Sequence, residues 1–150
     1  MENADTATID ALVTAVYETI SGPAGPRDWE RERRLFAPGA RLVPTQKRPE
    51  VGAAADVLDV EGFIASRGPF FAANDFFEWE VARQTFQFGN MAQVLSAYEA
   101  RRRPEDREPL WRGINAFQLY SDGRRWWIVS IVWDNERPGN PMPEWARSAP

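Results

Sequence analysis

A chain of 150 residues with 43% hydrophobic and 27% charged side chains has the apolar content for one ordinary core. Its formal net charge of -4 gives a nucleic-acid partner no electrostatic support. Neither Cys nor His occurs, which excludes disulfides, thiolate chemistry and every Ser/His, Cys/His or His/Asp mechanism, and leaves Asp, Glu, Lys or Tyr as the only general bases.

The first stretch, MENADTATIDALVTAV, lacks the basic and long apolar segments of a secretion signal, and no later run reaches the ~18 apolar residues of a membrane span. A cytoplasmic protein without membrane or nucleic-acid partners is expected. Ile9, Leu12, Val13, Val16, Tyr17 and Ile20 share one helical stripe, which Ser21-Gly22-Pro23 ends. Asp28 reads as the N-cap of a second, charged helix with Trp29 and Phe36 on its buried side, stopped at Pro38-Gly39. Residues 41–45 read as a short strand and 44–56 as a long loop near a pocket mouth. Asp59 caps a third helix, carrying Phe63 and Ile64, that Gly68-Pro69 terminates.

Strand-like runs follow. Residues 76–88 and 91–101 flank Gly89-Asn90, and residues 111–120 and 125–134 flank Asp122-Gly123, each a two-residue hairpin signal. Three helices with a short strand among them and then a four-strand meander make an α+β pattern, in one domain over residues 1–150 with an irregular Pro-rich tail from about 137.

The first turn pairs Arg83 with Ser96, Val81 with Tyr98 and Glu80 with Glu99. Two opposed carboxylates either share a proton or form a solvated cluster neutralised by Arg101 and Arg103. The second turn sets Arg112 over Trp133, Gln118 opposite Trp127, and Asn115 opposite Ser130 amid Phe117, Leu119 and Ile128. That polar pair would bind a ligand or be satisfied across a dimer interface. The final run RRWWIVSIVWDNE is apolar on both alternating faces, so it needs cover on two sides, helices on one and a second copy on the other.

Three segments, ALVTAVYETI, LFAPGARLVP and RGINAFQLYSDGRRWWIVSIVWDNE, in that order resemble the nuclear transport factor 2-like superfamily, also called SnoaL-like or cystatin-like cone proteins. FGNMAQVLSAYEARR and WDNERPGNPMP are similar to a bacterial subgroup of it without an established activity. The resemblance implies three N-terminal helices packed on a strongly curved, mostly antiparallel sheet that forms a cone with an apolar pocket. In the ketosteroid isomerase branch the site is a helix Tyr, a strand Asp base and a protonated Asp. Tyr17 matches the helix Tyr, either as a ligand donor or as a core residue satisfied locally. Pro44 falls where the base belongs and the second Asp position falls near Ala116, so steroid isomerase chemistry is not expected.

The same overlay turns Val129, Ile131 and Trp133 toward the cone, beside Ile114, Ala116 and Gln118, with Val81, Arg83, Val94, Ser96 and Tyr98 across from them. The implied ligand-binding set is Tyr17, Trp29, Arg83, Ser96, Tyr98, Arg112, Gln118 and Trp133, around a small apolar molecule bearing a carbonyl or carboxylate with Arg83 or Arg112 as anion partner. Trp126, Ile128, Val132 and Phe117 would face a homodimer partner. No cofactor, metal or catalytic residue is assigned. Any catalysis would be of isomerase, lyase or hydrolase type, with Asp134 or Glu78 as a base at the rim. The alternative is a non-catalytic homodimeric adaptor whose cone is filled by its own side chains.

Overall fold

The computed structural model describes residues 4–45, 47–48, 52–53 and 55–147. After a short 3-10 turn at Ala4–Thr6, helix α1 spans Ile9–Ile20. The Thr8 side chain accepts from the Ala11 N–H at its start, and at its end the Ser21 hydroxyl donates to the Tyr17 carbonyl. The apolar stripe read from the sequence is its buried face.

Helix α2, Trp29–Arg33, is capped by Asp28 as expected but is only five residues long. Pro38-Gly39 does not stop it. The Leu35 carbonyl already accepts from the Ile128 N–H, strand β1 runs Phe36–Pro44, and Pro38 and Gly39, the latter at φ 80°, form a bulge within it. In the expected loop, β2 (Lys47–Arg48) pairs with β3 (Gly52–Ala53), while residues 46, 49–51 and 54 of that expectation lie outside the described residues. Helix α3, Val60–Ala73, starts at the Asp59 cap and runs on through Pro69, where a stop was expected. Phe70 and Phe71 in the turn after Pro69 pack on Phe76, and Phe71 also on Trp29, which offsets the ~3 kcal/mol penalty of a helical proline.

Strands β4 (Phe77–Phe88), β5 (Met91–Arg101), β6 (Trp111–Ser121) and β7 (Trp126–Asn135) complete a five-stranded sheet in the order β1-β7-β6-β5-β4, in which only β1 and β7 are parallel. The Gly89-Asn90 turn pairs Phe88 with Met91 and Arg83 with Ser96 as read. A bulge at Val81 then slips the register by one, so Glu80 faces Tyr98 and Glu78 faces Ala100. Glu80 and Glu99 therefore do not meet, and Glu78 and Glu80 turn to the side covered by the helices. Trp79 goes to the outer side, where Arg101 lies over its ring.

The second hairpin departs further. Its last pair is Ser121 with Trp126, giving a four-residue loop held by Asp122, which accepts from the N–H groups of Arg124 and Arg125 and from the Trp127 indole. A second bulge, at Val129, follows. Asn115 consequently pairs with Trp133, not Ser130, and faces inward. Phe117 and Ile128, expected on a partner-facing surface, are both 0% exposed within the core under the helices, and Trp126 packs on the same core. Val129 moves from the expected cone side to the surface, and Val132 is on the outer face as read.

The tail is not wholly irregular. A 3-10 turn at Glu144–Ala146 folds back on the outer face of the sheet, burying Met142 and Ala146 against Ala97, with Val81 and Ile114 alongside. No helix among the described residues is long and apolar enough to cross a membrane.

Candidate functional site

Between the helices and the inner face of the sheet lies a cavity of about 270 Å³. Its apolar wall comes from α1 (Val16, Ile20), β1 (Leu42), α3 (Phe63, Phe70, Phe71) and the sheet (Trp111, Ile131, Trp133), together with Phe76. The rings brace one another: Phe63 meets Trp133 edge-on at 6.1 Å between centroids, and Phe76 lies 5.6 Å from Trp111.

Six polar side chains interrupt this wall: Glu32, Arg67, Glu78, Tyr98, Asn115 and Asn135. Tyr98 donates its hydroxyl proton to Asn135 Oδ1 at 2.6 Å. Asn115 Nδ2 donates to the Tyr17 hydroxyl at 3.0 Å. The Ser96 hydroxyl spends its single proton on Glu80 Oε2 at 2.5 Å, so the Tyr17 proton goes to Ser96 Oγ at 2.7 Å. Arg83 closes the chain on Glu80, 3.0 Å from Nε to Oε2, and pairs with Asp10 at the surface. Each side chain in this line is bonded inside the protein.

The two acids are in a different position. Glu32 is 1% exposed and its Oε2 has no hydrogen-bond partner. Burial pushes its carboxyl up to about 8, opposed weakly by Arg33. Glu78 is half-buried in the cavity wall, its side chain makes no hydrogen bond or ion pair among the described residues, and desolvation likewise raises it to about 8. At neutral pH both acids are mostly protonated, able to donate a proton or to accept a cation on losing one. Burial first, then the neighbouring Glu78, raises the phenols of Tyr17 and Tyr98 well above the ordinary range, so neither is a tyrosinate base. Among the described residues no group of three or more acidic side chains is arranged to hold a metal ion.

No family model and no curated protein matches this sequence. Solved structures do match the fold. A Nostoc punctiforme protein of unknown function with a cystatin-like fold aligns at a TM-score of 0.62 and 11% identity, over 87% of this chain and 94% of its own. A nuclear transport factor 2-like protein of unknown function from Silicibacter pomeroyi aligns at 0.54 and 19% identity, over 85% and 92%. A candidate ketosteroid isomerase from Parabacteroides distasonis aligns at 0.58 and 10% identity, over 92% and 98%. This chain has the nuclear transport factor 2-like fold.

Of the residues the sequence singled out, this NTF2-like fold brings Tyr98 and Trp133 to the cavity wall. Tyr17 and Ser96 stand directly behind it, Tyr17 bonded to Asn115 and Ser96 to Tyr17. Trp29 packs on Phe71 outside the lining, and Arg83 is held by Glu80 and Asp10. Arg112 and Gln118 are not near the cavity: the shifted β6–β7 register puts them on the outer face, Arg112 paired with Glu136 at 2.8 Å and Gln118 exposed. Ile114 and Ala116 leave the inward set for the same reason and Val81 through the bulge in β4, and the inward residue beside Ala116 is Asn115.

Sequence reading missed Glu32, Arg67 and Asn135, set Asn115 in a polar pair with Ser130 that the register does not form, and placed Glu78 at a rim. One signal was available for Glu32, which falls between Trp29 and Phe36 on the very stripe assigned to the buried side of α2. Nothing in FEWEVARQ announces the bulge that turns Glu78 inward.

Proposed function

We propose that this protein binds a small, mostly apolar molecule in the cavity under its helices. The observation that carries the reading is an aromatic-walled space containing two carboxyl groups, Glu32 and Glu78, whose hydrogen-bonding capacity the protein leaves unmet. Buried polar groups are normally satisfied, because an unpaired one costs about 1–3 kcal/mol, and a ligand that answers them recovers that cost. At about 270 Å³ the space suits a ligand of one ring and a short chain.

Any reaction here would be cofactor-free proton transfer, with Glu78 as the acid or base, since it is the carboxyl of the meander that lies in the cavity. The test is calorimetric titration with 3-phenylpropanol and its amine and carboxylate analogues. We expect saturable one-to-one binding of at least one of them with a negative heat-capacity change. Absence of heat for all three at millimolar concentration would remove the reading.

A homodimer through the outer face belongs to the same proposal in reduced form. Its support is the exposed trio Tyr120, Val129 and Val132 on neighbouring strands. Such a dimer is compatible with an adaptor role, but the unmet carboxyls favour the ligand-binding reading.

A further inference from the structure

Resting on the ligand-binding reading, a narrower statement follows from which groups in the cavity lack partners. Glu32 is almost completely buried, lines the cavity, and has a side-chain oxygen with nothing to accept from. Glu78 lines the same cavity with no cation or donor on its carboxyl among the described residues. Around them stand the faces and edges of Phe63, Phe71, Trp111 and Trp133. Acceptors without donors, enclosed by aromatic rings, are the chemistry that holds an organic cation: the carboxylates supply charge-assisted hydrogen bonds and the rings supply a cation–π field.

We infer that the natural ligand is a hydrophobic amine, its ammonium group on Glu78 with Glu32 as second acceptor and its hydrocarbon part against Phe63, Phe71 and Trp133.

Of the other polar groups of the cavity only Arg67 is charged. Asn115 gives one amide proton to Tyr17, and Asn135 accepts from Tyr98. Arg67, on α3, is the one guanidinium in the lining and makes no ion pair among the described residues. It would instead favour a carboxylate, so a carboxylate analogue belongs in the test. The two acids are protonated near neutral pH, and each that ionises when the ammonium enters releases one proton to solvent. The groups facing Glu78 are the hydroxyls of Tyr17 from α1 and Tyr98 from β5, with Arg67 of α3 in the same lining, and Arg33 is the charge felt by Glu32. Burial holds both phenols above their ordinary range, so a pH dependence of binding between 6 and 8.5 reports the two carboxyls.

The experiment is calorimetric titration of the full chain with 3-phenylpropylamine, 3-phenylpropanol and 3-phenylpropanoate at pH 6 to 8.5, in buffers of different ionisation heat. The amine is expected to bind about 10- to 100-fold more tightly than the alcohol at pH 8.5, with affinity rising over this range and protons released on binding. In Glu78→Gln, and further in the double variant with Glu32→Gln, the ratio of amine to alcohol affinity falls to about one, and a cooperative melting transition shows that the variants are folded. If the alcohol binds as tightly as the amine, or the propanoate binds best, the inference is overturned and the ligand-binding reading stands. If none of the three binds, both fall together.

Discussion

Glu32 is a carboxyl placed by helical spacing where a hydrocarbon would be cheaper. It follows Trp29 by three residues, so the stripe that buries Trp29 buries it too, and the pattern WERERRLF contains that placement once Trp29 is taken as the inward residue. Less legible is that no partner awaits it, since a sequence does not show which buried acids are left alone. The consequence for stability has a definite sign. A carboxyl raised from 4.5 to about 8 is protonated in the folded state while the unfolded chain ionises, so stability is full below pH 4.5 and declines up to about pH 8. The slope is at most ~1.4 kcal/mol per pH unit for each such group. Urea unfolding should therefore show the wild type losing stability from pH 5 to pH 8 relative to Glu32→Gln, with the gap widening across that interval. Parallel curves would mean that Glu32 titrates as in water.

The elements themselves were largely legible. Helix α1, the caps at Asp28 and Asp59, and the Gly89-Asn90 turn with its Arg83–Ser96 pair all follow from local chemistry: spacing, side-chain acceptors at helix starts, and a residue tolerant of positive φ. The bulges at Val81 and Val129 were not, because a β-branched residue reads equally well as paired or extruded, and one extra residue reverses every facing beyond it. Those two positions decide which side chains enter the cavity: Glu78 comes in, Val129 goes out. Gly113 marks a third constraint at the same level. A Cβ there would lie 2.3 Å from the Tyr98 hydroxyl and 2.4 Å from the Asp134 carbonyl, so only glycine lets β5, β6 and β7 close around the Tyr98–Asn135 hydrogen bond. Gly113→Ala should cost about 1–3 kcal/mol in urea unfolding and displace Tyr98, read as a changed tyrosine environment in near-ultraviolet dichroism. An unchanged stability and spectrum would show that the strands have room to spare.

At the scale of the molecule, the two apolar sides of the last strand have different surroundings. Its inward residues, Ile128, Ile131 and Trp133, meet the helices and the cavity. The outer face of the sheet is covered over β4, β5 and β6, not over the last strand, by the chain's own tail through Met142 and Ala146, which a Pro-rich ending did not reveal. What remains open there is Val132 at 39% exposure with Val129 and Tyr120, so a dimer probe belongs at Val132 and not at Ile128, whose substitution would break the core. Val132→Asp is expected to convert a dimer to a folded monomer by light scattering with its melting temperature little changed. A dimer that survives this substitution would place the interface elsewhere.

The central claim, that the cavity is where this protein meets its ligand, has a direct reporter in its own indoles. Of the seven Trp, Trp111 and Trp133 line the cavity, while Trp127 stacks on Tyr120 at the outer face and Trp79 lies under Arg101. In ¹H–¹⁵N spectra titrated with 3-phenylpropylamine, the indole signals of Trp111 and Trp133 should shift together and saturate, with those of Trp79 and Trp127 unmoved. Shifts confined to Trp79 or Trp127, or none at saturating amine, would contradict the account.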